Sequence, residues 1–163
     1  MSEREAEAEA DTPATRWLVE HDVPHTVVVT EPASSAEESA QFQGIEPRQL
    51  LRTIVVRRGE NDYLFVLVPA GRRFDWPKLR AHLGVKRMSL PDAEEAKAVT
   101  GYERGTITPF GSTNPWPVIA DESMRDLDSV AIGGGQRGVN VHIAPADLIK
   151  ATNGEIVDVT IPE

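Results

Sequence analysis

The most informative stretch of the chain is Arg52-Thr53-Ile54-Val55-Val56-Arg57, Arg58-Gly59-Glu60-Asn61-Asp62 and Tyr63-Leu64-Phe65-Val66-Leu67-Val68. Its two ends are apolar runs of strand length, rich in β-branched and aromatic residues, and its polar middle contains Gly and Asn, which favour turns. Two apolar runs joined by so short a polar segment predict a β-hairpin. We therefore expect an antiparallel pair of strands over these residues.

Alternating helix and strand patterns surround this hairpin on both sides. Ser35-Ala36-Glu37-Glu38 is a capping box that begins a helix ending at Gly44, and Asp75 caps a helix that ends at Gly84. A hairpin next to helical crossovers argues against a purely parallel sheet, so we predict a mixed α/β (α+β) domain with helices around one curved, mixed β-sheet. The remaining predictions are helices at Ala14–His21, Trp76–Leu83, Pro91–Val99 and Pro145–Thr152 and strands at Thr26–Thr30, Val118–Asp121, Ser129–Ile132, Val139–Ile143 and Glu155–Thr160.

The length of 163 residues favours one domain, and no linker, repeat or low-complexity segment interrupts the chain from Pro13 onward. We expect residues 13–163 to form this domain and residues 1–12 to be a flexible acidic tail. The tail lacks the apolar core of a secretory signal, and no apolar run reaches the roughly 18–20 residues of a membrane helix. A cytoplasmic protein with no membrane partner is therefore expected.

Cysteine and histidine usage excludes several kinds of site. The chain contains no Cys, which excludes disulfides, thiolate zinc, iron–sulfur clusters and a cysteine nucleophile. His21 and His25 have the spacing of two ligands on a helix, but Pro24 would end a helix between them and no third ligand follows. Gly-x-Ser-x-Gly, Walker A and Gly-x-Gly-x-x-Gly motifs are also missing. We expect neither a metal nor a cofactor.

Two glycine-rich segments are the best candidates for binding a ligand. They are Gly101-Tyr102-Glu103-Arg104-Gly105-Thr106-Ile107-Thr108-Pro109-Phe110-Gly111 and Ile132-Gly133-Gly134-Gly135-Gln136-Arg137-Gly138. Glycine lets the backbone approach a ligand closely and turn its N–H groups toward it. The same patterns also fit a long ordered loop and a flexible hairpin turn, and neither segment alone identifies a substrate.

The charge is distributed unevenly along the chain. The net charge of −9 argues against broad binding to nucleic acid. However, the segment from Arg48 to Arg87 holds ten basic and three acidic residues, a net charge of +7, whereas the remainder holds seven basic and 23 acidic residues, a net charge of −16. A basic cluster of this kind is typical of a surface that contacts phosphates.

These segments, in this order, resemble the YbaK/EbsC family, which includes the editing domain inserted in bacterial prolyl-tRNA synthetases. The most specific element is Thr100-Gly101-Tyr102 followed by Gly105-Thr106-Ile107-Thr108-Pro109-Phe110-Gly111. The resemblance extends from about Trp17 to Thr160, which is nearly the whole chain. Its other elements are Ser34–Glu38, Leu51–Val56, Ile132–Gly135 and Ile143–Ile149.

The resemblance implies hydrolysis, in trans, of the ester that joins a mischarged amino acid to the terminal ribose of a tRNA. In that family the backbone of a Gly-x-x-x-Pro loop lies near the ester carbonyl and the substrate's own hydroxyl or side chain assists. Gly105 and Pro109 match the ends of that loop, and Arg52 stands where the family has a lysine before the Thr, so these are the expected catalytic residues. The residues expected to bind substrate are Thr53, Thr108, Phe110, Gly111, Gly133, Gly134 and Gly135.

Three functions are compatible with the sequence. The first is a free-standing aminoacyl-tRNA deacylase that has a pocket for a small amino acid and contacts the tRNA acceptor end. The second is a non-catalytic protein of the same fold that binds tRNA ends or a nucleotide-like ligand, because Arg52 keeps the charge of the family lysine but cannot act as a base. The third is an interaction module whose acidic tail docks an aminoacyl-tRNA synthetase. The amino acid, the tRNA and the oligomeric state do not follow from the sequence.

Overall fold

The structure, a computed structural model, describes residues 11–163, which form five α-helices and nine β-strands. Two short 3₁₀ turns, Pro47–Gln49 and Glu122–Met124, complete the described elements. In chain order the helices and strands are α1 (Pro13–Glu20), β1 (Thr26–Val29), α2 (Ala36–Gln43), β2 (Leu51–Gly59), β3 (Asp62–Pro69), β4 (Arg72–Phe74), α3 (Trp76–Leu83), α4 (Ala93–Thr100), β5 (Val118–Asp121), β6 (Val130–Gly133), β7 (Val139–Ile143), α5 (Pro145–Thr152), β8 (Glu155–Val157) and β9 (Thr160–Pro162).

The predicted hairpin is the antiparallel pair β2–β3, in which Val55 lies opposite Phe65. The chain reverses at Asn61, whose φ of 53° lies in the left-handed region that Asn tolerates better than most residues. The register shifts between Arg57 and Gly59, which marks a β-bulge next to the turn. The central prediction from the sequence is therefore confirmed, with a bulge that the pattern did not indicate.

The mixed α/β class is confirmed, but the strands form three sheets rather than one. A four-stranded sheet has the order β2-β3-β5-β8, with β5 parallel to both of its neighbours, and an antiparallel sheet has the order β1-β7-β6. An isolated parallel bridge between Leu50 and Ala131 connects these two sheets. The predicted strand Glu155–Thr160 is divided, because the chain leaves the large sheet after β8 and pairs again as β9 with β4. The carboxylate of Asp121, which accepts the N–H of Val159 at 3.1 Å, holds this break.

The hairpin separates two apolar clusters, because successive side chains of a strand point to opposite faces. Leu51, Val55 and Phe65 pack in the larger cluster, which also contains Phe110 and Ile132. Val56, Leu64 and Val66 pack in the other, where Leu79 from α3 covers them. Each buried side chain of this size contributes about 1.5–3 kcal/mol to folding, so both faces of β3 stabilise the domain.

The helix boundaries follow local capping chemistry. The Ser35 hydroxyl accepts the N–H of Glu38 at 3.1 Å, as predicted, but the Glu38 carboxylate accepts the N–H of Ser34 rather than that of Ser35. The helix predicted over Pro91–Val99 instead covers Ala93–Thr100, because Asp92 provides its N-terminal cap. None of the helices among the described residues is long and apolar enough to cross a membrane.

The predicted boundary between tail and domain needs correction at Thr12. Residues 1–10 of the predicted tail lie outside the described residues. Thr12 is only 3% exposed, and its hydroxyl donates to the Gly134 carbonyl at 2.6 Å while accepting the N–H of Thr15 at 3.1 Å. Thr12 therefore caps α1 and connects it to the β6–β7 turn, a tertiary contact that composition cannot indicate.

A glycine-lined cavity as the candidate active site

The long segment between α4 and β5 is an ordered loop tied to its surroundings. The hydroxyl of Tyr102 donates to the Phe110 carbonyl at 2.6 Å, and the indole N–H of Trp116 donates to the Val99 carbonyl at 2.8 Å. Burial raises the pKa of Tyr102 to about 12, although the nearby Arg16 opposes this shift. The phenol therefore stays a hydrogen-bond donor at physiological pH, and the loop is held in place before any ligand binds.

A tight turn within this loop exposes Gly105. The N–H and the hydroxyl of Thr106 both donate to the Glu103 carbonyl, at 2.9 and 2.7 Å. Gly105 has a φ of +90°, which side-chain-bearing residues rarely adopt. A Cβ at this position would meet nothing within 4 Å, so the glycine is required by the backbone conformation and faces open space.

The β6–β7 turn forms a second wall and packs closely on the loop. Gly135 has a φ of +91°, and a Cβ there would lie 2.8 Å from Cε1 of Tyr102. A Cβ on Gly133 would lie 3.5 Å from the Ile107 carbonyl oxygen. The β6–β7 turn is therefore not a flexible hairpin turn. Its glycines allow its backbone to pack against the loop between α4 and β5.

Between these walls and the beginning of α2 lies a cavity of about 290 Å³, which we call the glycine-lined cavity. Its volume is at the low end of the range for ligand sites. The described residues that line it include no acidic side chain. They are Gly105 and Thr106 from the loop, Gly133, Gln136, Arg137, Gly138, Val139 and Asn140 from the β6–β7 hairpin, and Pro32, Ala33, Ser35 and Ser39 near α2.

The glycine-lined cavity is lined by residues with unpaired hydrogen-bond donors. Within residues 11–163 the backbone N–H groups of Gly105, Gln136 and Arg137 donate to no acceptor. The exposed guanidinium of Arg137 also has no carboxylate within 4 Å in the described part of the chain. Free backbone N–H groups on two segments, beside one cation, suit an anion or an oxygen that gains negative charge during a reaction.

A hydrogen-bond chain supports the α2 side of the cavity. The imidazole Nε2 of His142 lies 2.8 Å from the Gln43 side-chain oxygen, and the Gln43 amide donates to the Ser39 hydroxyl at 2.9 Å. Burial lowers the pKa of His142, which favours the neutral imidazole. Because the Gln43 oxygen is only an acceptor, Nε2 of that neutral ring carries the proton. The Ser39 hydroxyl is thereby left with its proton available to a ligand.

The glycine-lined cavity contains only part of the expected site. Gly105 and Gly133 line it, while Gly134 and Gly135 lie behind it in the same turn. Thr108 and Phe110 are fully buried, and the Thr108 hydroxyl has no partner among the described residues. These two residues therefore support the loop rather than line the cavity.

Pro109 and Gly111 line a different and smaller cavity, of about 100 Å³, together with Trp17. A Cβ on Gly111 would lie 2.5 Å from the Pro13 carbonyl oxygen, so this glycine allows α1 to contact the loop. The second end of the Gly-x-x-x-Pro element thus faces away from the glycine-lined cavity.

The structure does not bring Arg52 together with the glycine-lined cavity. Its Nη2 donates to the Arg72 carbonyl at 2.6 Å and lies 3.6 Å from the Glu163 carboxylate, next to the β4–β9 sheet. Alternation along β2 directs Arg52 to the face opposite Leu51. The neighbouring Thr53 hydroxyl is buried and has no partner within residues 11–163.

Several residues of the cavity were not predicted. Ser35 was identified only as a helix cap, and Arg137 lies inside a segment noted for its glycines rather than for its charge. No sequence pattern indicated a role for Ser39 or Asn140, because they come together only where α2 lies next to the β6–β7 hairpin in the folded protein. Among the described residues no group of three or more His, Asp or Glu side chains is arranged to hold a metal ion.

A model of the aminoacyl-tRNA editing domain matches residues 30–151, which include both glycine-rich walls of the cavity and the hairpin β2–β3. The chain belongs to this family. The predicted YbaK/EbsC relationship is therefore confirmed, and the family is one of aminoacyl-tRNA deacylases.

Individual relatives of this editing domain agree with that assignment. It is 27% identical over 155 residues to EbsC of Enterococcus faecalis, named as a candidate Cys-tRNA(Pro)/Cys-tRNA(Cys) deacylase, covering 93% of this chain and 94% of EbsC. It is also 27% identical to a proline–tRNA ligase of Thermosipho melanesiensis, but it covers only 24% of that ligase. A crystal structure of a candidate trans-editing enzyme for prolyl-tRNA synthetase superposes with a TM-score of 0.81 at 26% identity, over 93% of this chain and 99% of the other.

Proposed function

We propose that this editing domain hydrolyses, in trans, the ester of a mischarged aminoacyl-tRNA that carries a small amino acid. The observation that carries the proposal is the glycine-lined cavity, whose lining includes Gly105, Gln136 and Arg137 with unpaired backbone N–H groups and, among the described residues, no acidic side chain. Similarity at 26–27% identity over nearly the full length of the EbsC and trans-editing relatives supports action on a separate aminoacyl-tRNA. The tRNA acceptor end is the proposed partner.

The chemistry proposed for the cavity requires no protein nucleophile. A water oxygen attacks the ester carbonyl carbon, the carbonyl oxygen becomes an oxyanion, and the bond to the ribose oxygen then breaks. The amino acid leaves as the free acid and the ribose hydroxyl of the tRNA regains its proton. One well-aimed N–H donor stabilises such an oxyanion by about 2.7–4 kcal/mol, which is a large effect for an ester that is already activated.

Cavity size supports a small amino acid. A volume of about 290 Å³ leaves little room once the terminal ribose has entered. One methylene in such a pocket changes the free energy that distinguishes two substrates by about 1–3 kcal/mol. Small amino acids of similar size should therefore differ only modestly in kcat/KM. We therefore expect preference rather than absolute selectivity among Ala, Cys, Ser and Thr.

Arg52 enters the proposal as a phosphate contact outside the cavity. Only its Nη2 is engaged, by Arg72 and Glu163, and its side chain is 42% exposed. The remaining N–H groups of the guanidinium, on Nε and Nη1, have no partner among the described residues and are free to donate to a phosphate oxygen.

The test is deacylation of Ala-, Cys-, Ser- and Thr-charged tRNAs by the wild type and by Gly105→Ala. We expect the wild type to release at least one amino acid, and Gly105→Ala to lose about tenfold or more in kcat, because the added Cβ displaces the N–H and enters the cavity. Gly71→Ala is the matched control, since Gly71 has a φ of +87° and also has open space around it. A wild type no faster than buffer on every substrate would falsify the proposal.

The alternative is a non-catalytic editing-domain protein that binds tRNA ends. The substitution of Arg52 for the family lysine favours it. Tight binding of uncharged tRNA with no turnover on any of the four substrates is the outcome that selects it. The third hypothesis, docking of a synthetase by the acidic tail, concerns residues that lie outside the described part of the chain, apart from Asp11 and Thr12.

A further inference from the structure

A second cavity, of about 460 Å³, lies at the turn end of the β2–β3 hairpin, and we call it the basic cavity. Among the described residues that line it, Met88 is the one with an apolar side chain and none is aromatic. Five of the eight residues that line it are cationic: Arg57, Arg58, Arg80, Lys86 and Arg87. All five belong to the segment with a net charge of +7 that stands out in an otherwise acidic chain.

Three backbone segments bring these cations together. The N–H of Arg57 donates to the Ser89 carbonyl at 2.8 Å, and the N–H of Ser89 donates back at 3.0 Å, which fastens the segment after α3 to the edge of β2. Arg80 lies in the last turn of α3, where its carbonyl accepts the N–H of Gly84 at 2.9 Å. The clustering is therefore produced by the fold and not only by proximity in sequence.

Three of the five cations have no charge partner. Arg58 pairs with Asp62 at 2.8 Å and Arg57 lies 3.8 Å from Glu95. Within residues 11–163, no carboxylate lies within 4 Å of the other three, which are Arg80, Lys86 and Arg87.

The C-terminal dipole of α3 explains only one of these unpaired cations. Arg80 belongs to the last turn of α3, but Lys86 and Arg87 lie beyond its end at Gly84. Unpaired cations that repel one another in an acidic protein indicate an anionic ligand.

The position of the basic cavity favours a polymeric ligand. The beginning of β2 adjoins β6 through the Leu50–Ala131 bridge, and Gly133 at the end of β6 lines the glycine-lined cavity. From Leu51 to Gly59, β2 extends for roughly 26 Å at the usual rise of a strand. A mononucleotide cannot reach from one cavity to the other, whereas a tRNA can.

We propose that the basic cavity binds backbone phosphates of the tRNA at a distance from the aminoacyl end, a role that rests on the proposed function. Positive side chains contact phosphates without regard to sequence. The lack of aromatic side chains argues against stacking on bases. The basic cavity therefore contributes affinity for the tRNA body and leaves the choice of amino acid to the glycine-lined cavity.

The first experiment measures binding of uncharged tRNA by Lys86→Ala/Arg87→Ala between 50 and 200 mM salt. We expect the Kd to rise about tenfold at low salt and the slope of log K against log salt to decrease by about 1.5, because two phosphate contacts are lost. Arg125→Ala/Lys150→Ala removes one Arg and one Lys that are also exposed and lie outside both cavities, and it should bind as the wild type does. Unchanged affinity and slope in the first variant, or an equal loss in the control, would overturn the proposal.

The second experiment separates this proposal from the proposed function. The ratio of kcat/KM for an aminoacyl-tRNA to that for the same amino acid esterified to adenosine should fall about tenfold in Lys86→Ala/Arg87→Ala, because the adenosine ester has no backbone phosphate. A constant ratio contradicts the basic-cavity proposal even if hydrolysis is robust. If the wild type hydrolyses neither ester, the proposed function fails, and the binding experiment still decides the role of the basic cavity.

Discussion

The two cavities of this editing domain use opposite means to attract negative charge. The glycine-lined cavity relies on N–H groups of the backbone, held by close contacts such as that of Gly135 with Tyr102. The basic cavity relies on the ends of flexible side chains, and Lys86 and Arg87 are both exposed. Backbone N–H dipoles that are held in place stabilise negative charge at one defined position and only over a short distance. Full side-chain charges attract an anion over about 10 Å in dilute salt.

This difference separates positioning from affinity. A change in the backbone near Gly105 should alter kcat, because the donors must match the geometry of a transition state. A change of charge near Lys86 should alter KM and the dependence on salt. The predictions below test whether the two regions are as independent as this comparison implies, beginning with the largest effect.

Gly135→Ala should damage the glycine-lined cavity most. The left-handed backbone costs an alanine about 1–2 kcal/mol, and the overlap of its Cβ with the Tyr102 ring adds about 1–3 kcal/mol, so the free energy of unfolding should fall by about 2–5 kcal/mol. Deacylation should fall more than tenfold as the β6–β7 turn moves. Urea denaturation and single-turnover deacylation are the measurements.

The control for this prediction is Gly84→Ala, at a position with a φ of +67° and nothing within 4 Å. It should lose only the 1–2 kcal/mol of backbone strain and keep its activity. Equal losses in both variants would show that the close contact of the β6–β7 turn with the loop contributes nothing.

Arg52→Ala tests whether a cation outside both cavities also contributes to activity, because Arg52 lines neither of them. We expect about a tenfold loss in kcat/KM for aminoacyl-tRNA, because a charge-assisted contact with phosphate is lost, and substantial recovery in Arg52→Lys. Arg73→Ala, which removes an exposed arginine from the adjoining strand β4, is the control. A loss of thermal stability without a change in kcat/KM would instead make Arg52 a structural link between β2, Arg72 and Glu163.

Lowering the pH should reduce the stability of the protein through His142 but should leave tRNA binding at the basic cavity nearly unchanged. This is the smallest of the three predicted effects. The folded-state pKa of His142 is lowered by burial, so the unfolded chain binds its proton more readily. The stability that His142 contributes is complete above its unfolded pKa of about 6.5 and is lost as the pH falls toward the lower folded value. The described residues that line the basic cavity include no His, Asp or Glu.

The measurement is the free energy of unfolding between pH 7 and pH 5. In His142→Gln the decline over this interval should be smaller than in the wild type, because the glutamine retains a donor for Gln43 without a titrating group. Identical slopes for the two proteins would contradict the role given to His142. Binding of tRNA at the basic cavity should change little over the same interval.

Local structure was predictable wherever the cause is local. Ser35, Asp75 and Asp92 cap their helices through hydrogen bonds to residues three positions ahead, and Gly44, Gly84 and Gly101 end helices in the left-handed conformation. The first two caps and the glycines Gly44 and Gly84 were predicted as helix boundaries, because each helix terminus depends only on residues close to it in the sequence. The sequence did not predict that Glu155–Thr160 divides into two strands. This division depends on a hydrogen bond from Val159 to the distant Asp121 and on the pairing of β9 with β4.

The sequence by itself determined the helices, most of the strands, the β2–β3 hairpin, the family and the two glycine-rich segments, because these depend on periodicity, capping and motif order. Only the tertiary structure decided that Gly105 and Gly133 share a cavity with Ser39 and Arg137, and that Pro109 and Arg52 lie apart from it. It also decided that the cations between Arg48 and Arg87 meet at one end of the hairpin. The physical reason is that backbone conformation is set by neighbours in sequence, whereas a cavity is set by which surfaces pack, and packing joins residues that no sequence interval relates.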